Sequence, residues 1–267
     1  MTAAARQAVA IVPVRIGSQR LLGKAMLAES GKPLFLHTWQ RAIDATRFDG
    51  GVFVATDSDE VADATVTAGG KVLRTSETPR TGSERCAEAA AQLPANVGCV
   101  VDIQGDWPEV EPRDLDALVD CLRAGTAPTA TLAVPLRDDA RFSDPNVVKV
   151  VRRLDGSALY FSRATIPFPR DPSPLPRLRH VGVYAFTRET LAKIPSLPSS
   201  GLAEAESLEQ LRFLENGIAM KVLDAHCGAD GAEPWGIETR ADYDAFLGRL
   251  RARARGGSCV LRQGGDT

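Results

Sequence analysis

Short apolar runs alternate with longer stretches in which apolar residues recur every three or four positions. Residues 9–14 are apolar and β-branched over a length suited to a strand buried on both faces. Behind the turn Gly31-Lys32-Pro33, with Pro33 suited to a first helical position, Leu34, His37, Thr38, Arg41 and Ala42 recur at helical spacing. Gly51–Thr56 reads as a second buried strand, and Asp57-Ser58-Asp59 ends it and supplies an N-cap. The helix that follows is lined by Val61, Ala64, Thr65 and Ala68 and stopped by Gly69-Gly70. A short strand at Lys71–Arg74, an Ala-rich helix over 83–92 and a strand over 98–103 come next. A helix over 113–124 and a strand over 129–134 complete the alternation. It predicts an α/β fold with a doubly wound, mostly parallel sheet.

The second part of the chain has a different texture. Strands are expected over 147–152 and 158–161, and a loop with five prolines over 166–176. Another strand is expected at 180–186. A helix over 203–215 is closed by Asn216-Gly217, followed by a strand over 218–223 and a helix over 240–250. From Arg251 onward, paired glycines and scattered arginines predict a disordered tail.

Composition narrows the class. A chain of 267 residues suits one large α/β domain or two small ones. With 32 basic and 34 acidic residues the net charge is −2, which argues against general nucleic-acid binding. No apolar run approaches the ~18 residues of a membrane span, and residues 1–7 lack a signal-peptide core. The five cysteines, Cys86, Cys99, Cys121, Cys227 and Cys259, are odd in number and lack C-x-x-C spacing. They read as reduced, mostly packed thiols in a cytoplasmic protein. The three histidines show no zinc-ligand spacing, so any metal is expected to be a hard cation on carboxylates.

Chemistry concentrates where apolar runs end. The first strand feeds a loop containing Gly17 and Gly23 that carries Arg15, Arg20 and Lys24. It is not a P-loop, because five residues separate the glycines and Ala25 stands where a Ser or Thr would hold Mg²⁺. It suits a triphosphate held mainly by side chains at the carboxyl end of a parallel sheet, or else is a solvated basic loop. Asp106 directly follows the fourth strand, as a ligand for Mg²⁺ bridging phosphates or as a turn cap. Glu238 precedes a helix after a short strand-like run, 235–237, as a second metal ligand or an acid near a helix N-terminus.

The run IVPVRIGSQRLLGK resembles the I-P-A-R-x-x-S-x-R-L-P-G-K signature of sugar-acid cytidylyltransferases, most closely the CMP-KDO synthetase family, which couples CTP to 3-deoxy-manno-octulosonate (KDO). VFVATDSDEVADA, TGSER, VVDIQGDWP, ATLAVPL, NVVKVV, ALYFSRATIP, RHVGVYAF and SLEQLRFLENG look like that family's segments in its order, over roughly residues 8–248. The resemblance implies a Rossmann-like, nucleotide-diphospho-sugar transferase-like domain over 1–250. Its nucleotide-binding part would span 8–135 and 218–250, with an acceptor and dimerisation subregion over 136–217. Pro13, Val14, Arg15, Arg20, Lys24, Ser83, Arg85 and Gln104 match nucleotide-site positions. Arg15, Arg20, Lys24 and Asp106 match the catalytic set, and Asp106 and Glu238 the metal ligands. Gln104, Trp107, Arg163, His180, Tyr184, Glu209 and Gln210 match acceptor-pocket positions. Mg²⁺ as cofactor, CTP as substrate and a homodimer are implied with them.

Three departures matter. Q-G-D-E-P appears as Gln104-Gly105-Asp106-Trp107-Pro108, G-V-D-T as Gly236-Ile237-Glu238-Thr239, and L-P-G-K-P ends in Ala25. An indole in place of an acid beside Asp106 would narrow and dry the acceptor side. The expectation is therefore CMP transfer to a small anionic acceptor, a phosphonate such as phosphonoformate being favoured. The alternatives are CMP-KDO synthesis and, from another class, a non-catalytic nucleotide-binding protein.

Overall fold

Alternation along β1 (Gln7–Pro13) sets up the architecture. Ala8, Ala10 and Val12 pack into one face of the sheet, and Val9 and Ile11 into the other, as a strand's two-residue period requires. All are fully buried, so β1 lies inside the sheet. The computed structural model describes residues 6–17, 21–171 and 175–260.

The sheet runs β3 (Lys71–Arg74), β2 (Gly51–Thr56), β1, β4 (Val97–Ile103), β8 (Leu178–Thr187), β5 (Thr129–Pro135) and β9 (Met220–Asp224). Pairs β2–β3, β1–β2, β1–β4 and β5–β9 are parallel, whereas β8 is antiparallel to both β4 and β5. A hairpin of β6 (Lys149–Arg152) and β7 (Ala158–Ser162) pairs onto β8 off this path. Residues 136–217 thus share the central sheet, through β8, with the strands before and after them.

Helices cover both faces. On one, α1 (Leu34–Asp44) and α4 (Pro112–Arg123) bring Phe35, Trp39, Leu115 and Leu118 onto Val12, Val101 and Val183, and α2 (Asp59–Thr67) adds Val61. On the other, α3 (Gly82–Ala91) contributes Cys86 and Ala89. There α6 (Arg188–Leu191) and α8 (Glu209–Glu215) add Leu191, Leu211 and Phe213. Local signals act as read: Ser58 caps α2 by accepting from Val61 N, and Pro112 opens α4. A short α5 (Asp139–Ser143) leads into the hairpin.

Three expectations need correction. The helix expected over 203–215 is two, α7 (Gly201–Glu206) and α8, broken where Ser207 turns left-handed at φ 51°. The tail expected from Arg251 instead continues α9 (Arg240–Val260). Arg253 holds it down, donating to Asp230 at 2.7 Å and to buried Glu109 at 3.0 Å, while Arg249 Nε donates to Glu109 at 2.9 Å. Residues 235–237 form no strand, and Ile237 N instead donates to the Asp106 carbonyl at 2.9 Å.

Cys86, Cys99, Cys121 and Cys227 are free thiols. Cys86 and Cys99 are buried, which pushes both thiols up, Cys99 to about 12. Among the described residues no helix is long and apolar enough to cross a membrane.

Candidate functional site

The carboxyl ends of β1 and β4 open into a cleft of about 850 Å³. Its floor is Pro13, Val14 and Arg15 after β1, and Gln104, Gly105 and Asp106 after β4. Its walls are lined by Arg80, Thr81 and Gly82 at the start of α3, by Glu209 and Arg212 on the adjoining α8, and by Arg163 and Ser207. Lys24, on a short turn over 24–26, and Glu238 complete the rim.

Lys24 Nζ lies 2.5 Å from Asp106 Oδ2, both side chains largely shielded from water. A cation and a carboxylate so close at strand ends can meet a polyphosphate and its counter-cation together. Arg15 lines the same floor. Arg20 lies outside the described residues.

Glu238 enters the rim beside Asp106 because the Ile237 N–H bond to the Asp106 carbonyl ties the two segments. Asp242 fixes that stretch further, accepting from Glu238 N at 3.1 Å and Thr239 N at 2.8 Å. Among the described residues there is no group of three or more His, Cys, Asp and Glu able to hold a metal. Asp106 and Glu238 offer carboxylate oxygens, and the described cleft lining has no sulfur or imidazole, a donor set of the kind hard cations prefer.

Gln104 lines the cleft with its amide nitrogen donating to buried Asp102 Oδ1 at 2.7 Å. Burial, with the nearby charge of Glu209, pushes the Asp102 carboxyl well up. Ser83 sits just beneath the wall, donating from Oγ to Asp102 Oδ2 at 3.2 Å and from N to Glu209 Oε2 at 3.4 Å. Burial pushes Glu209 up as well.

Several expected site residues lie behind the surface. Arg85 is buried; it donates to Asp57 Oδ2 at 3.1 Å and to the Ser76 carbonyl at 3.1 Å, and so braces the 75–76 loop. It does not line the cleft. Arg80, five residues earlier, does, and shares Glu84 with Arg212. Burial alone would push the Glu84 carboxyl up, but the hydrogen bonds from Arg80 and Arg212 hold it below the ordinary range.

Of the acceptor positions, Gln104, Arg163 and Glu209 face the cleft; His180, Tyr184 and Gln210 are buried beneath it. Tyr184 Oη donates to Gln210 Oε1 at 3.1 Å, and the His180 ring lies 5.4 Å from Tyr184. Burial, with Arg179 adjacent, lowers His180 to about 3, so its contact with Thr131 Oγ1 at 2.9 Å is made by a neutral ring. Arg163 is bound to carbonyls: Nε donates to Glu206 O at 2.7 Å and Nη1 to Pro145 O at 3.0 Å. Its guanidinium shapes the wall at least as much as it offers charge.

Trp107 overturns the expectation placed on it. The indole does not line the cleft. It packs with the α1–α4 face, between two glycines: a Cβ on Gly182 would fall 2.9 Å from its Nε1, and one on Gly236 3.0 Å from its Cζ2. The tight turn over 104–107, closed where Trp107 N donates to the Gln104 carbonyl at 3.1 Å, turns it away from the cleft.

The sequence reading missed Arg80, Thr81, Gly82, Asp102 and Arg212. TGSER carried Thr81 and Gly82 as text, but nothing in it distinguished the residues on the cleft from those behind it.

The family model described as cytidylyltransferase matches residues 9–222. The 3-deoxy-manno-octulosonate cytidylyltransferase of Chlorobium limicola is 41% identical over 254 residues, covering 92% of this chain and 98% of that protein. The 8-amino-3,8-dideoxy-manno-octulosonate cytidylyltransferase of Shewanella pealeana is 42% identical, covering 79% of this chain and 87% of that protein. Among solved structures, CMP:2-keto-3-deoxy-manno-octonic acid synthetase complexed with CTP superposes with a TM-score of 0.84 at 34% identity, covering 92% of this chain and 99% of that one. The chain belongs to the cytidylyltransferase family, and is a nucleotidyltransferase that uses CTP.

Proposed function

We propose that this enzyme couples CTP to 3-deoxy-manno-octulosonate, releasing pyrophosphate and forming the CMP-linked sugar acid. The observation that carries this reading over the phosphonate is the place of Trp107. The phosphonate expectation required an indole narrowing the acceptor side, whereas that side is walled by Gln104, Glu209 and Arg163. Relatives with about 40% identity over most of the chain carry the sugar-acid name, and the cleft has room for nucleotide and acceptor together.

In the reaction an acceptor hydroxyl oxygen bonds to the α-phosphorus of CTP and gives up its proton to solvent, while the α-phosphorus–oxygen bond to pyrophosphate breaks and its electron pair leaves with pyrophosphate. Lys24 and Arg15 meet the phosphates, and Lys24 is held ready by Asp106. Asp106 and Glu238 would hold Mg²⁺, which when bound neutralises phosphate charge. The chain's own contribution is positioning and charge complementarity in a shielded cleft.

The test is pyrophosphate release from CTP with this sugar acid, compared with phosphonoformate, in wild type and Trp107→Glu. Turnover with the sugar acid, and an acceptor preference that Trp107→Glu leaves unchanged, is expected. Efficient use of phosphonoformate with no turnover of the sugar acid would overturn the assignment.

A further inference from the structure

Asp102 stands one residue before the end of β4, opposite Tyr184 on β8, and is fully buried. It never reaches the cleft, yet the residue it grips does. Gln104 Nε2 donates to its Oδ1 at 2.7 Å and Ser83 Oγ donates to its Oδ2 at 3.2 Å. With its amide nitrogen bonded to this carboxyl, Gln104 turns its NH₂ inward. The group left to face the cleft is the carbonyl oxygen, Oε1.

Gly82 completes the seat. A Cβ there would fall 2.1 Å from Gln104 Nε2 and 2.4 Å from Oε1, so any side chain at 82 would evict the amide. The orientation is thus held from beneath by Asp102 and given room by Gly82.

We propose that Asp102 is a positioning residue that holds the Gln104 carbonyl oxygen toward the cleft, so that this wall selects acceptor substrates carrying hydroxyl or amine donors. The proposal rests on the sugar-acid reading and deepens it. A polyol offers Oε1 a hydrogen; a phosphonate or carboxylate, ionised at neutral pH, brings only lone pairs and leaves it unsatisfied. Sites built to bond a substrate hydroxyl discriminate strongly against ligands that lack one.

A double-mutant cycle tests this. Asp102→Ala is expected to raise KM for the sugar acid about tenfold, the scale of one lost oriented hydrogen bond, with KM for CTP within about twofold of wild type. Asp102→Asn, whose amide oxygen still accepts from Gln104, should restore most of the loss. In a Gln104→Met background, adding Asp102→Ala should raise KM no further, because the residue it acts through is gone. Equal losses in both backgrounds, or an unchanged KM in Asp102→Ala, would overturn the proposal. Should Asp102→Ala fail to fold, Gly82→Ala displaces the same amide with Asp102 intact; the same rise in KM is then expected, and an unchanged KM overturns it. Wild-type turnover of the sugar acid is measured first. Its absence counts against the assigned acceptor, and the cycle is then run on whichever acceptor turns over.

Discussion

Asp106→Asn removes one negative charge from the cleft while preserving side-chain volume. Asp106 Oδ2 accepts from Lys24 Nζ at 2.5 Å, and the side chains are 22% and 14% exposed respectively. A charge-assisted hydrogen bond in such a setting is worth roughly 1.5–3 kcal/mol. If the positioning of Lys24 is realised mainly in the transition state, that converts to a fall in kcat of about tenfold to a hundredfold. Loss of one of the two cleft carboxylates that suit a hard cation adds to it. Stability should change little, since the site is partly hydrated and the amide fills the same space: about 1 kcal/mol, or roughly 2–4 °C in Tm for a chain of this size. Steady-state pyrophosphate release gives kcat and KM separately, and thermal denaturation checks the fold. Turnover within twofold of wild type would refute the reasoning and return Asp106 to a turn-capping role.

Lys24→Ala should lower kcat/KM for CTP about tenfold to a hundredfold without unfolding the protein, read in the same assay. Excess chelator should abolish pyrophosphate release and added Mg²⁺ should restore it; full activity in chelator would contradict the place given to Asp106 and Glu238. Arg85→Ala should act on stability, by about 2 kcal/mol, because it leaves Asp57 and the Ser76 carbonyl unpartnered; denaturant titration against KM for CTP separates this from a nucleotide contact. His180 is lowered to about 3 by burial, below its value of about 6.5 in an unfolded chain. Below pH 6.5 the unfolded state therefore binds a proton the folded state refuses, and this group's contribution to stability falls by up to about 1.4 kcal/mol per pH unit down to about pH 3. Denaturant midpoints at pH 6.5, 5.5 and 4.5 should fall less steeply in His180→Gln than in wild type.

Much of the fold was legible because its central strands announce themselves. A strand buried on both faces reads as a near-continuous apolar run, as residues 9–12, 54–55 and 99–101 do, with buried Asp102 the exception on β4. Helix stops and starts at Ser58 and Gly69 follow from local hydrogen bonding and backbone freedom. What was not legible depends on distant partners. Arg253 continues α9 by meeting Glu109 and Asp230, far away in sequence. The break between α7 and α8 hangs on one left-handed serine, a conformation that composition does not announce. The site divides the same way. Arg15, Lys24, Gln104 and Asp106 follow strand ends, where sheet geometry forces exposure to the cleft. Arg85 and Trp107 sit in equally suggestive motifs but turn inward, a choice made by Asp57 in one case and by the gap between Gly182 and Gly236 in the other.

The central claim is the identity of the transfer, and the most direct measurement is the ratio of kcat/KM values across acceptors at saturating CTP, with the product's mass recorded. The panel is 3-deoxy-manno-octulosonate, its 8-amino-8-deoxy analogue and phosphonoformate. The account predicts efficient pyrophosphate release with the eight-carbon sugar acid and a product heavier than it by one cytidylyl group. Both sugar acids should exceed phosphonoformate by at least about a hundredfold, the discrimination that a wall of hydrogen-bonding groups can supply. A kcat/KM for phosphonoformate equal to or above that for the sugar acids would contradict it.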